Sequence, residues 1–209
     1  MKSRFFLLAT LAAVSNGAPQ DRPTSPCPFD GFGNKDKLGI IARRSTGYFG
    51  CSPDGKCLPT ALAAGDPLLV YRSEGNWTCG YLSQRKGAGP AWVPSKDIAP
   101  VAIDPAPPLA AWQGTWANGK DRIRIRGAES PKLLHLEGEA TWHGNGDVVH
   151  EGSFAGDATL AGNHLHFVAS PSSCTVDLTL AGKYLIADDN SQCGGMNVRF
   201  WGIWTRSER

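Results

Sequence analysis

His164 and His166 stand two residues apart, a spacing that sends both imidazoles to one face of a strand, as in strand-borne metal sites. His143, His150 or Glu151 would supply a third donor. Leu165 and Phe167 alternate with them and point toward a core, so the histidines belong to an outer surface and no metal is expected. Asp188, Asp189 and Asn190, ahead of Cys193-Gly194-Gly195, offer oxygen ligands of the calcium type but lack the remaining positions of a loop motif. A tight turn fixed by a neighbouring disulfide is the expected structure. Glu129, Glu137, Glu139 and Glu151 could contribute an acid and a base for glycoside cleavage, which needs two carboxylates facing across a cleft. Glu137 and Glu139 instead match Arg122 and Arg124 as a cross-strand surface ladder, worth under ~1 kcal/mol per pair. The sequence contains no nucleophile elbow, phosphate-binding loop or Cys-His nucleophile arrangement, so neither a catalytic residue nor a cofactor is expected.

The six cysteines suit three disulfides in an oxidising compartment, where they cannot act as thiolates. Six cysteines allow 15 connectivities. Cys27, Cys51, Cys57 and Cys79 precede a proline-rich stretch and Cys174 and Cys193 follow it, which favours Cys27 with Cys79, Cys51 with Cys57, and Cys174 with Cys193. Export agrees with the start of the chain. Lys2 and Arg4 precede an apolar run from Phe5 to Val14 and then small residues, the pattern of a signal peptide over residues 1–17 with cleavage before Ala18. That run is too short to span a bilayer and no other approaches the ~20 residues required, so no membrane insertion is expected. A periplasmic or secreted location follows.

A composition of 25 Gly, 15 Pro and 7 Trp in 209 residues describes a turn-rich β protein. Without Lys2 and Arg4 the chain carries 19 basic and 19 acidic side chains, a balance that argues against nucleic acid as a partner. Four prolines between Pro100 and Leu109 forbid continuous sheet pairing. The stretch 102–109 is therefore read as a linker between modules at 27–101 and 110–209. In the first, Leu68 to Tyr71, Trp77 to Leu82, Ala91 to Ser95 and Ile98 to Val101 read as strands separated by Gly-containing turns. In the second, about eight strands fit into roughly 100 residues, and closure into an antiparallel barrel removes the edges they would otherwise expose. Trp112, Gly114 and Trp116 share a face near its start, as do Phe200, Gly202 and Trp204 near its end, so first and last strands could zip the barrel shut.

Ala61, Gly65-Asp66, Leu68, Val70, Gly75-Asn76-Trp77, Gly80-Tyr81 and Trp92-Val93-Pro94-Ser95 with Ile98 form a pattern that resembles SH3-like domains, including the bacterial SH3 family, over residues 37 to 101. The resemblance implies a small curved β barrel that, in exported bacterial proteins, holds peptidoglycan or protein segments. In relatives that take proline-rich peptides an aromatic floor does the holding, because a preformed polyproline helix loses little entropy on docking. Tyr71, Trp77, Tyr81, Trp92 and Pro94 are the candidates for that floor here. The chain departs from the peptide-binding pattern in lacking an acidic cluster before Trp77 and in carrying a Cys-bounded turn from Cys51 to Cys57. Gly114-x-Trp116, with Arg206 near the end, is weakly similar to lipocalin and avidin barrels. A hollow interior there would imply a small ligand, a packed one surface recognition. The expectation is thus an all-β, non-catalytic binding protein, with a cell-wall hydrolase or an inhibitor of a secreted wall-degrading enzyme as alternatives.

Overall fold

The computed structural model describes residues 23, 25–29, 38–49, 56–83, 89–130, 132–170 and 172–207. The expected signal peptide lies outside them. Every regular element among the described residues is a strand or a single 3-10 turn. The first half contributes β1 (Leu38–Ile41), β2 (Ser45–Phe49), β3 (Leu58–Leu62), β4 (Pro67–Glu74), β5 (Trp77–Leu82), β6 (Gly89–Pro94) and β7 (Ile98–Pro100), with a 3-10 turn at Ser95–Asp97. They form one antiparallel sheet in the order β3-β2-β6-β5-β4-β1-β7. β4 to β7 coincide with the expected strands. β2 and β3 carry no clean alternation in the sequence: Ser45–Phe49 is mostly half-exposed and Leu58–Leu62 mostly exposed, while β1 is a short, largely buried strand.

The two faces of this sheet differ. Ile41, Leu62, Leu68, Leu82, Ala91 and Val93 form the inner core. On β5 the alternate residues Trp77, Cys79 and Tyr81 take the outer face. There Cys79 and Trp92 make a separate buried cluster with Cys27, Phe29, Tyr48 and Tyr71.

The second half adds β8 (Gly114–Asn118), β9 (Asp121–Gly127), β10 (Leu133–His143), β11 (Val149–Ala161), β12 (His164–Val168), β13 (Thr175–Ala181), β14 (Tyr184–Asp189) and β15 (Gly202–Arg206). They close into an eight-stranded antiparallel barrel in the order β10-β11-β12-β13-β14-β15-β8-β9. The expected zip is present: Arg206 pairs with Trp116 and Thr205 with Ala117. Trp116 Nε1 donates to the Trp112 carbonyl at 2.9 Å, and Trp204 Nε1 to the Phe200 carbonyl at 3.1 Å, the same bond on the two joining strands. The Arg206 guanidinium lies 4.6 Å from the Trp116 ring centroid and donates to the carbonyls of Ala111, at 2.7 Å, and Gln113. Phe200, expected on the last strand with Gly202 and Trp204, lies instead in the loop that precedes β15. Asn197 has φ +68°, and the Phe200 N–H donates to Asp189 Oδ1 at 3.2 Å instead of to a neighbouring strand.

The barrel is filled. Phe154, Phe167 and Phe200 meet at its centre, with ring centroids 5.1 Å apart for Phe154–Phe167 and 4.8 Å for Phe154–Phe200. Phe154 fits because its cross-strand partner is Gly138, whose missing Cβ would stand inside the phenyl ring. Trp112, Trp116 and Trp204 are buried around this cluster. Each removes on the order of 200 Å² from water, roughly 5 kcal/mol at ~25 cal/mol per Å² as an upper estimate.

The modules pack together through β14, which is buried on both faces. Leu185 and Ala187 point into the barrel, while Tyr184 and Ile186 join Ala181 and Ile203 against Leu38 and Leu69 of the first sheet. Tyr184 Oη donates to the Gly65 carbonyl at 3.3 Å and Ser83 Oγ to that of Ile203 at 3.0 Å. The proline-rich linker bends at residues 105–106, where the Ala106 N–H donates to Asp104 Oδ1 at 2.9 Å, and it is not free: Ile103 packs into this interface and Pro107 is buried.

Candidate functional site

The turn joining β4 to β5 brings together the residues that present an open aromatic surface. Gly75, at φ +54°, allows the tight reversal, and Trp77 follows as the first residue of β5, opposite Pro94 on β6. Three hydroxyls lock the 3-10 turn onto this strand: buried Thr78 Oγ1 bonds Ser73 Oγ at 2.9 Å and Ser95 Oγ at 2.8 Å. The Ser95 N–H donates to the Asn76 carbonyl at 2.9 Å. Behind the turn, buried Asp97 accepts from Arg43 Nε at 2.5 Å and from Ser45 Oγ at 2.7 Å. Burial opposes ionisation there, but the hydrogen bonds from Ser45 and Arg43 and the charges of Arg43 and Lys96 outweigh it and hold the carboxyl below its ordinary range.

The result is a small cleft of about 140 Å³ lined by Gly75, Asn76, Trp77, Pro94, Ser95 and Lys96. Trp77 and Pro94 make its apolar walls, and exposed Lys96 its basic rim. Tyr48 of β2 stands edge-on to the Trp77 indole, with centroids 5.4 Å apart and planes at 80°.

The other three residues expected on the aromatic floor lie under or beside the chain's own N-terminal segment. Cys27 is joined to Cys79, which carries this segment across the outer face of β5 and β6. Trp92 Nε1 donates to the Ser25 carbonyl at 2.9 Å. Trp92 is only 2% exposed, so its assignment to an external ligand is corrected: it is a core residue beneath residues 25–27. Phe29 lies between Tyr71, at 5.9 Å edge-on, and Tyr81, at 5.4 Å. Burial raises the Tyr81 phenol above its ordinary pKa.

Trp77 and Pro94 thus line one cleft, Tyr71 and Tyr81 flank Phe29 of the chain's own N-terminal segment, and Trp92 lies beneath that segment. Tyr48, Asn76 and Lys96 were missed. The Gly75-Asn76 turn signal beside Trp77 already pointed to Asn76, whereas the approach of Tyr48 depends on how β2 meets β6.

Elsewhere Glu139 and Glu151 line one open cleft along β10 and β11, while other candidates bond to neighbours. His164 Nδ1 bonds Thr179 Oγ1 at 2.9 Å and His166 Nδ1 bonds Asp177 Oδ1 at 2.8 Å, both outside the barrel. Glu137 receives Arg124 at 3.0 Å and also Arg126. The tight turn expected at Asp188–Asn190 is instead the end of a strand: Asp188 and Asp189 are the last residues of β14, paired with Asp177 and Val176. There Asp189 accepts the N–H groups of Phe200 and Ser191, and Asn190 Oδ1 those of Thr175 and Gln192. The Cys174–Cys193 disulfide lies beside it. Cys57 is also disulfide-bonded, and the partner expected for it, Cys51, lies outside the described residues. Among the described residues no three His, Cys, Asp or Glu side chains gather as a metal site would need, and no helix is long and apolar enough to cross a membrane.

Comparison with known proteins finds no matching family model, no matching curated protein and no matching solved structure.

Proposed function

We propose that this chain is an exported, non-catalytic binding protein whose SH3-like first module takes an extended peptide segment, of the cell-wall stem or protein type, in the Trp77–Pro94 cleft. The observation that carries this reading is the pairing of Trp77 and Pro94 across β5 and β6 at the mouth of an open cleft. Two flat apolar surfaces side by side suit a chain that arrives already extended, because such a chain loses little entropy on docking. Lys96 at the rim suits a carboxylate on that segment. The rigid backing supplied by the Ser73–Thr78–Ser95 hydroxyls and by Asp97 keeps the two walls in place without a ligand. The disulfides Cys27–Cys79 and Cys174–Cys193 support a periplasmic or secreted location. The barrel, with its packed interior, serves in this reading as a scaffold and a second surface.

The test is a titration of the full chain with a sugar-free cell-wall stem peptide, followed by tryptophan fluorescence, alongside the Trp77→Ala variant and a circular dichroism check of its fold. Saturable binding that weakens at least about tenfold in Trp77→Ala, a loss of about 1.4 kcal/mol, is the expected result. Absence of binding by the intact chain, or equal affinity in the two proteins, overturns the reading.

A further inference from the structure

The inward-facing rows of the barrel change character at one end. Along β8 the row runs Gly114, Trp116, Asn118; along β9 it runs Ile125, Ile123, Asp121; along β10 it runs Leu134, Leu136, Gly138, Ala140, Trp142. Everything below is apolar and packed. At the mouth, three neighbouring strands place an amide, a carboxylate and an indole on inward positions. Arg199 and Trp201 reach the same place from the loop before β15, and Tyr81 reaches it from the first module, so that together they line an open, shallow cleft of about 440 Å³.

The aromatic rings there are held in position. Trp142 stacks on His150, with centroids 5.2 Å apart and planes at 29°, and lies over Gly144, where a Cβ would meet the ring at 2.7 Å. Trp201, 42% exposed, carries the Arg199 guanidinium 5.7 Å from its centroid and has the Tyr81 ring at 6.4 Å. Asp121 Oδ1 accepts the Thr141 N–H at 3.0 Å, which orients a carboxylate that has acceptor capacity beyond that bond.

From this geometry we infer that the barrel mouth is a binding site for an uncharged oligosaccharide. A sugar ring presents an apolar C–H face to an indole and a rim of hydroxyls to planar amide, carboxylate and guanidinium groups, and the mouth supplies both sets. The charges of Asp121 and Arg199 offset each other, which favours a neutral ligand over an ionic one. An acyl chain finds no depth, because Phe154, Phe167 and Phe200 close the barrel beneath. The site is separate from the Trp77–Pro94 cleft and does not rest on the peptide reading.

The experiment titrates the full chain with the tetramer of N-acetylglucosamine and, separately, with a neutral glucose tetramer, by calorimetry. The variants are Trp201→Ala, an exposed position, Asp121→Asn, which keeps the shape of the side chain, and Trp77→Ala. Saturable binding of at least one tetramer, weakened about tenfold or more in Trp201→Ala and in Asp121→Asn and unchanged in Trp77→Ala, is expected. Failure of both tetramers to bind overturns the inference. So does binding that both mouth variants retain in full, or binding that only Trp77→Ala abolishes.

Discussion

Truncating Phe154 probes the feature that most constrains what the barrel does, its packed centre. The side chain is 5% exposed, touches Phe167 and Phe200, and faces Gly138 across β10. Phe154→Ala forfeits about 2 kcal/mol of transfer free energy for the removed ring. A residual cavity on the order of 100 Å³, at about 24 cal/mol per Å³, adds roughly another 2 kcal/mol. The expected loss of about 4 kcal/mol is large against the 5–15 kcal/mol that holds a typical domain. Gly138→Ala alone is destabilising by about 1–3 kcal/mol, because the new methyl enters the space of the Phe154 ring. In the double variant that methyl enters vacated space, so the two costs do not add, and the coupling favours the double variant by about 1 kcal/mol or more. Urea unfolding of the four proteins, followed by circular dichroism, measures all of these terms. A loss under about 1 kcal/mol in Phe154→Ala, or strict additivity in the double variant, refutes the packed interior. It would reopen the hollow-barrel reading in which an internal ligand replaces side chains.

Removal of the Cys27–Cys79 disulfide by paired alanine substitution frees a loop with a sequence separation of 52 and costs about 4 kcal/mol, against about 3 kcal/mol for Cys174–Cys193 with its separation of 19; denaturant midpoints of the two variants give the order. Asp97→Asn costs about 2 kcal/mol at neutral pH, the scale of hydrogen bonds to a charged group. Because the folded carboxyl titrates below its unfolded value, the native protein has this contribution above the ordinary carboxylate range and loses it as pH falls through the folded pKa, so stability measured from pH 7 to pH 2 separates the two proteins only at the higher pH. Ile186→Ser opens the inter-module face of β14 while leaving Leu185 and Ala187 in the barrel core, and calorimetry is expected to resolve two unfolding transitions where the native chain shows stronger coupling.

Much of this architecture was legible wherever alternation and turn residues agree. Arg122 to Arg126 and Leu134 to Trp142 alternate cleanly, and they are the middles of β9 and β10. The Trp112-Gly114-Trp116 and Phe200-Gly202-Trp204 patterns suggested that the first and last strands could meet, and β8 and β15 do pair, through Ala117 with Thr205 and Trp116 with Arg206. The pairing of Cys27 with Cys79 was legible too, yet its consequence was not: it draws the N-terminal segment over Trp92 and turns a supposed ligand contact into core. Chain proximity gave no hint of that, since Ser25 and Trp92 are 67 residues apart. The mouth cluster was hidden for the same reason. Asn118, Asp121 and Trp142 look like ordinary turn-flanking residues until the barrel closes and puts them on one rim.

A single strand ties the features of this molecule together. The outer face of β5 presents Trp77, Cys79 and Tyr81 in succession, so the cleft lies at one end, the anchored N-terminal segment in the middle, and the edge of the barrel mouth at the other. At about 3.3 Å per residue, Trp77 and Tyr81 are about 13 Å apart along that strand. β5 is buried through Thr78, Gly80 and Leu82 on its inner side and cross-linked on its outer side, which leaves it little freedom to bend. β14, buried on both faces, fixes the barrel to the same sheet. Any ligand that engages both ends of β5 therefore meets two surfaces whose spacing is set before it arrives, and it bears no ordering cost for bringing them together.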